Sequence, residues 1–470
     1  MAEQEQPGVQ EQDIYEKSAF YRYLALIAAV LAWTFDGVEQ AVYAIMTRPA
    51  LKDLVPGIPE LVKKLNELNQ KIMLLSSQET IAQLKQQAAE LTRQIDTPVG
   101  FYFSLALAMW LWGAAAGGVL FGRLGDRIGR VRALMAAVVT YSVFTGLTAL
   151  SAHWTHLTAC RFLGALGLGG AWPLSVALLV ETWEEKRRPV LAGLMGAGAN
   201  VGYLIAALYS GAMLSYGLNW RWVIGMGCVI GLSSLLVIVF VPESAKWKRS
   251  REKKQRSSIG DLFSRRYLRS TIVGTLLATV ALLGTWGSFL WLATYVGQIA
   301  EGTQYASTAG ATVAKWQAYG QIIGGFTGGL LAGWLGNKTS YRLLCITAWA
   351  SVVALFGLND QFGWQMVWMG AFAGLFVTAF FGWLPKFLPE LFPTRIRATG
   401  QGFTFNFGRI FAGVGVLGTG LLTRGFGGDY QKATMAMATV YLLGLIVIQF
   451  APETGGRMLS DEEDEAAAQK

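Results

Sequence analysis

Apolar runs about twenty residues long recur from Phe20 to Phe450, the length an α-helix needs to cross the roughly 30 Å hydrocarbon core of a bilayer. Only 15% of the residues are charged, against about 25% in soluble domains. A water-soluble core does not need so many consecutive apolar positions. The pattern therefore predicts an all-α membrane protein. The first six spans are expected at Phe20–Met46, Val99–Phe121, Arg132–Leu150, His156–Val180, Pro189–Leu214 and Trp220–Val241. Six more follow at Ser270–Ile299, Ala311–Leu335, Tyr341–Leu358, Trp364–Leu388, Gly402–Leu422 and Ala433–Phe450.

Basic residues set the expected orientation. They gather in alternate loops: Arg123 to Arg132, Lys186 to Arg188, Lys246 to Arg266, and Arg395 with Arg397. Twelve spans put all of these on one side, which the bias of lysine and arginine marks as cytoplasmic, together with both termini. This alternation accounts for the net charge of +9 without any nucleic-acid partner. The expected layout is a cytoplasmic segment 1–19, a first bundle 20–244, a basic linker 245–269, a second bundle 270–452 and an acidic tail 453–470. No cleavable signal is expected, because the first run is long enough to span. Cys160, Cys228 and Cys345 all fall inside apolar runs and read as small core residues.

One outer loop is long. Within 51–97, Leu61, Leu65, Leu68, Ile72 and Leu75 follow a heptad spacing, and Ile81, Leu84, Ala88, Leu91 and Ile95 resume it. Ser76 with Glu79 forms a capping-box pattern for a second helix. A helical hairpin outside the membrane is expected, either as a self-packed cap or as an element that captures solute or a partner.

The chain also repeats itself. Gly118-Val-Leu-Phe-Gly122-Arg-Leu-Gly125-Asp126-Arg127 returns 211 residues later as Gly329-Leu-Leu-Ala-Gly333-Trp-Leu-Gly336-Asn337-Lys338. Glu181, Arg188 and Gly193 return after 209 residues as Glu390, Arg397 and Gly402, and Pro242-Glu243-Ser244 after 210 as Pro452-Glu453-Thr454. Three matches near one offset make the chain a duplicated six-helix unit. Parallel repeats of this kind place a solute site near the bilayer midplane, between the halves.

The segment Gly118 to Arg132 resembles the loop signature of the major facilitator superfamily. Arg161 followed by Gly164, Gly167 and Gly169 is similar to its fourth-helix signature, with Ala165 where a glycine is usual. Pro242-Glu243-Ser244 and Glu390-Leu-Phe-Pro-Thr-Arg395-Ile-Arg397 resemble its sugar porters and metabolite/proton symporters. The resemblance implies the facilitator fold, with two pseudo-symmetric six-helix bundles, and secondary transport of a small solute by alternating access.

Asp36 and Glu39 share one face of the first span, and carboxylates within a span are costly enough to suggest a function. The Asp36-Gly-Val-Glu39 pattern resembles aromatic-acid and sialate/proton symporters, which implies proton coupling at Asp36 and Glu39. A plain ion pair between Asp36 and Arg161 is the competing reading. Arg409, inside span eleven and flanked by aromatics, is a candidate fork for an anionic solute, with Asn406 nearby. Gln317 and Gln321 are candidate donors to a polar solute, and Trp383 beside Pro385 a candidate aromatic wall. The competing reading for Arg409 is a pair with a carboxylate of its own half or snorkelling to the cytoplasm, and for Gln317 and Gln321 a packing role. Asp126, Arg127, Arg130, Glu181, Arg188, Glu390 and Arg397 are expected to form a cytoplasmic gate.

The expected partners are an organic-acid solute, protons and the bilayer, with no cofactor and a functional monomer. Span seven lacks the Gln-Gln pair usual in sugar porters, which weakens a sugar or polyol porter as the alternative. A non-transporting nutrient sensor is the alternative from another class; the short tail argues against it. His153 and His156 are the only histidines and share one outer loop. With no nucleophile constellation, metal-ligand spacing or ATPase phosphate loop, an enzyme is not expected.

Overall fold

The computed structural model describes residues 18–74, 78–252, 258–300, 303–305, 308–426, 429–459 and 461. Residues 1–17, Ser76, the side chain of Glu79, Lys253, Lys254, Arg256 and most of the acidic tail lie outside the described residues.

The first half comprises α1 (Ala19–Leu54), α2 (Ile58–Leu74), α3 (Gln78–Ile128), α4 (Arg130–Ala149), α5 (Trp154–Thr182), α6 (Arg188–Ser215), α7 (Trp220–Ser233) and α8 (Leu235–Ile238). The short α9 (Ala245–Glu252) begins the linker. The second half comprises α10 (Leu268–Gly287), α11 (Leu292–Ile299), α12 (Ala309–Leu335), α13 (Asn337–Gly357), α14 (Trp364–Phe387), α15 (Arg397–Gly425), α16 (Tyr430–Ala438) and α17 (Val440–Val447).

Among the described residues, ten stretches are long and apolar enough to cross a membrane. The other two expected spans correspond to α12, of 27 residues, and α15, of 29. Both have the length, since about 20 residues suffice. α12 falls short in hydropathy because it is rich in glycine and carries Lys315, Gln317 and Gln321, whereas the side chains of α15 at 416–424 lie outside the described residues. Both helices contact the first bundle, so part of their surface faces protein rather than lipid.

Several expected boundaries move. The helix of span two begins much earlier than the span, because α3 is one continuous helix from the hairpin through Pro98 to Ile128. Spans six, seven and twelve are each interrupted, at Ser234, Ser288 and Thr439. At the break in span seven, the Ser288 hydroxyl turns back on the Gly284 carbonyl. A Cβ on Gly284 would lie 2.3 Å from the Tyr441 ring, so this helix packs on α17 at a distance only glycine allows.

The bundles meet chiefly through two helix pairs, α3 with α15 and α6 with α12. Gly402 sits against the Gly118 carbonyl, and Gly329 against the Gly193 amide. These four glycines are the ones that the sequence repeat equates. A twofold axis exchanging the halves turns one contact into the other, so the interface has the symmetry that the duplication requires.

The two ends of the described chain, near Ser18 and Leu459, lie on one face. There the Trp183 indole donates to Arg22 O and the Arg130 guanidinium to Thr394 O. The hairpin marks the opposite face. Leu75 lies outside the described residues and Ile95 is buried; the other heptad residues of the hairpin are half-buried while most positions between them are exposed. Its base is fixed to the first bundle by Leu51, Val55, Ile58, Ile95 and Val99, and by the Trp220 indole donating to Asp53 at 2.6 Å.

Candidate functional site

At mid-depth, α1 presents Asp36, Glu39, Gln40 and Tyr43, all buried. The spacings of three, four and seven residues put them on one helix face. Glu39 forms an ion pair with Arg161 of α5 and accepts a hydrogen bond from Thr145 at 2.7 Å. Arg161 lies over the Tyr43 ring at 4.9 Å. The buried arginine of α5 thus pairs with Glu39, and the competing reading of an Asp36–Arg161 ion pair gives way to this arrangement. Asp36 instead accepts from Gln40 at 3.0 Å, and Gln40 accepts from the Tyr203 hydroxyl at 3.0 Å.

Arg409 of the other half lies close enough to Asp36 for its positive charge to attract it, without forming an ion pair. Arg409 is 4% exposed and lies between two aromatic rings, 5.7 Å from Trp110 and 5.4 Å from Phe405. Phe405 stacks on Trp172 at 4.0 Å, and Trp110 contacts Tyr43 at 6.1 Å and Trp286 at 5.8 Å. The result is an arginine and a carboxylate from opposite halves, enclosed by aromatic side chains. Among the described residues, Asp36 Oδ2, Glu39 Oε2, Arg409 Nη1 and Trp110 Nε1 have no hydrogen-bond partner. Buried polar atoms seldom stay unpaired, and burying a charge without a partner is expensive. The arrangement can therefore bind a small polar or anionic group.

The other expected solute contacts lie elsewhere. Asn406 donates to Gly169 O at 2.9 Å and Gly402 O at 3.1 Å, which docks α15 on α5. Gln317 and Gln321 are half-buried on α12 and border Gly374 of α14. The Gln321 carbonyl accepts from Asn200 at 3.5 Å. Trp383 packs on Tyr341 and Phe387, and its indole donates to Asn337 O and to Ser340. Asn337 belongs to the terminal face, whereas Arg409 lies about 18 Å of helix rise inside α15; Trp383 and Arg409 are not brought together. Sequence reasoning missed Gln40, Tyr43, Trp110, Trp172, Tyr203 and Trp286.

The terminal face carries the charge network. Asp126 pairs with Arg130 at 2.8 Å and accepts from Ala398 N, Thr399 N and the Thr399 hydroxyl at 3.3, 2.8 and 2.6 Å. Glu181 pairs with Arg130 at 2.9 Å and with Arg397 of the other half at 3.2 Å. The second copy is wired differently. Asn337 and Lys386 both bond to Glu390, and Arg188 pairs locally with Glu185. Arg127 is exposed and outside the network. Glu243 accepts from the amides of Arg130, Val131 and Ser244. Burial pushes its carboxyl above the ordinary range, against the pull of those amides and of the Arg130 charge. Gly129, at φ 110°, permits this approach, since a Cβ there would lie 2.0 Å from the Glu243 carboxylate.

Among the described residues, hydrogen bonds between the bundles run from the terminal face to mid-depth. None lies closer to the hairpin face than Asn200 to Gln321.

Comparison with known proteins places the chain. Residues 98–415 match the Major Facilitator Superfamily model. The 3-(3-hydroxy-phenyl)propionate transporter of Escherichia coli is 30% identical over 68% of this chain and 76% of its own length. The cis,cis-muconate transport protein of Acinetobacter baylyi is 27% identical over 73% of this chain and 83% of its own. The solved structure of the proton:xylose symporter XylE bound to 6-bromo-6-deoxy-D-glucose superposes with a TM-score of 0.70 at 16% identity, over 96% of this chain and 99% of that one. With its long apolar helices, its two bundles and its duplicated interface, this multi-pass membrane protein belongs to the major facilitator superfamily.

Proposed function

We propose that this transporter carries a small organic-acid anion together with protons, by alternating access, with both termini in the cytoplasm and one copy sufficient for function. One observation carries the reading: the buried Arg409, held between aromatic rings, and the buried Asp36 of the opposite half lie within electrostatic reach of each other, and among the described residues each keeps an atom free of protein hydrogen bonds. A guanidinium is the natural partner of a carboxylate. Solute and proton enter together because each neutralises one member of the Asp36–Arg409 pair, and Glu39 with Arg161 forms the adjoining part of the relay. Gln317 and Gln321 remain proposed solute contacts, while Asn406 and Trp383 act through packing. The network around Asp126, Arg130, Glu181 and Arg397 is the gate, shut here on the terminal face. Two of the relatives named above transport carboxylates, muconate and a hydroxyphenylpropionate, which favours this solute class.

The test is uptake by the purified protein in liposomes, across a panel of aliphatic acids, aromatic acids and sugars, with and without an inward proton gradient. Accumulation of at least one acid, driven by the gradient, is expected. Uptake confined to sugars and indifferent to the gradient would end the proposal.

A further inference from the structure

The basic linker is only partly used by the reading above. Its first helix, α9, is fixed to the gate loop by the Trp247 indole, which donates to Asp126 O at 2.9 Å. Arg251 lies over the Trp247 ring at 5.3 Å. Beside this indole a cavity of about 530 Å³ opens on the terminal face, lined by Arg132, Lys248 and Arg251 together with Glu243 and Glu252. The Glu243 carboxylate is already taken up by the amides of Arg130, Val131 and Ser244. Among the described residues, none of the three cations has an ion pair. Three cations thus face one uncommitted carboxylate, Glu252. The cavity also lies where α4 enters the apolar layer, at Arg130, and where α8 leaves it, at Ile238. That is the level of lipid headgroups, where basic clusters recognise anionic lipids.

We propose that this cavity binds the phosphate of an anionic phospholipid headgroup, with Arg132 and Arg251 as planar forks and Lys248 as a point charge. The inference rests on the membrane embedding of the chain and is independent of which solute is carried.

The experiment uses the full-length protein in nanodiscs of phosphatidylcholine containing a small fraction of spin-labelled phosphatidylglycerol, and reads the motionally restricted lipid. The triple variant Arg132→Gln, Lys248→Gln, Arg251→Gln is expected to hold phosphatidylglycerol about a hundredfold more weakly, from the loss of three basic side chains at the membrane surface. The double variant Arg132→Lys, Arg251→Lys keeps the charge and is expected to retain most of the binding. Glu252→Gln removes the opposing carboxylate and is expected to strengthen it, a gain that a misfolded protein cannot show. Wild-type retention by the triple variant, or no gain in Glu252→Gln, overturns the proposal. Inorganic phosphate and glycerol 3-phosphate at millimolar concentration separate the two sources of phosphate. Failure to displace the labelled lipid supports the headgroup. Displacement assigns the cavity to a soluble phosphate and refutes the lipid.

Discussion

Asp126→Asn tests the gate with a magnitude that follows from the geometry. The carboxylate accepts from Arg130, Ala398 N, Thr399 N and the Thr399 hydroxyl. An asparagine keeps one acceptor oxygen and turns a donor toward either Arg130 or Thr399, so at least two of these bonds are lost whichever way it points. Hydrogen bonds to a charged group are worth about 1.5–3 kcal/mol each. Three of the four cross between the halves, so most of the loss falls on the state closed at the terminal face. Two bonds at the lower bound come to about 3 kcal/mol, which is about a hundredfold in the equilibrium between the two states. Pulsed electron paramagnetic resonance between spin labels on Glu184 and Arg265 reads that equilibrium directly. The variant should populate longer distances, and solute exchange in liposomes should fall although the protein inserts normally. Wild-type distances together with wild-type exchange would refute the reasoning.

Asp36→Asn should abolish gradient-driven accumulation and leave solute exchange across a symmetric membrane, read as solute-induced proton uptake in lightly buffered liposomes; an unchanged proton ratio rules Asp36 out. Glu39→Gln should lower thermal stability as well as coupling, because it leaves Arg161 buried without its counter-charge; a melting point equal to wild type counts against this. Arg409→Lys should weaken solute binding about tenfold or more while keeping coupling, since lysine loses the planar fork; quenching of tryptophan fluorescence near the site measures it. Gly328→Ala would place a Cβ 1.9 Å from the Ala379 carbonyl and should lower the melting point by several degrees, whereas Gly310→Ala meets nothing within 4 Å and should be neutral.

The bundle plan was readable because lipid imposes it: every crossing segment must be apolar, and the duplication doubles the signal. The charged positions stood out for the same reason, since Asp36, Glu39 and Arg409 are costly within spans. Their pairing was not readable. Whether Arg161 meets Asp36 or Glu39 depends on the rotation of α5 against α1, and nothing local in either helix encodes that. Trp383 illustrates a second limit, because an aromatic residue in an apolar run does not reveal which way it faces. Gln40 and Tyr43 were within reach, four and seven residues after Asp36 on the same helix face. Trp110, Trp172 and Trp286 were not, since they converge from three separate helices. The breaks at Ser234, Ser288 and Thr439 escape a hydropathy pattern that stays apolar on both sides of each.

The continuity of α3 makes it a lever. Its 51 residues span about 77 Å, of which about 48 Å separates Trp110, near the centre, from the hairpin end at Gln78. A tilt of one degree about the centre then carries the hairpin sideways by about 0.8 Å. A hairpin anchored only to the first half acts as a pointer for that half's rotation. An antibody fragment clamped on it would work as a brake on turnover without touching the solute.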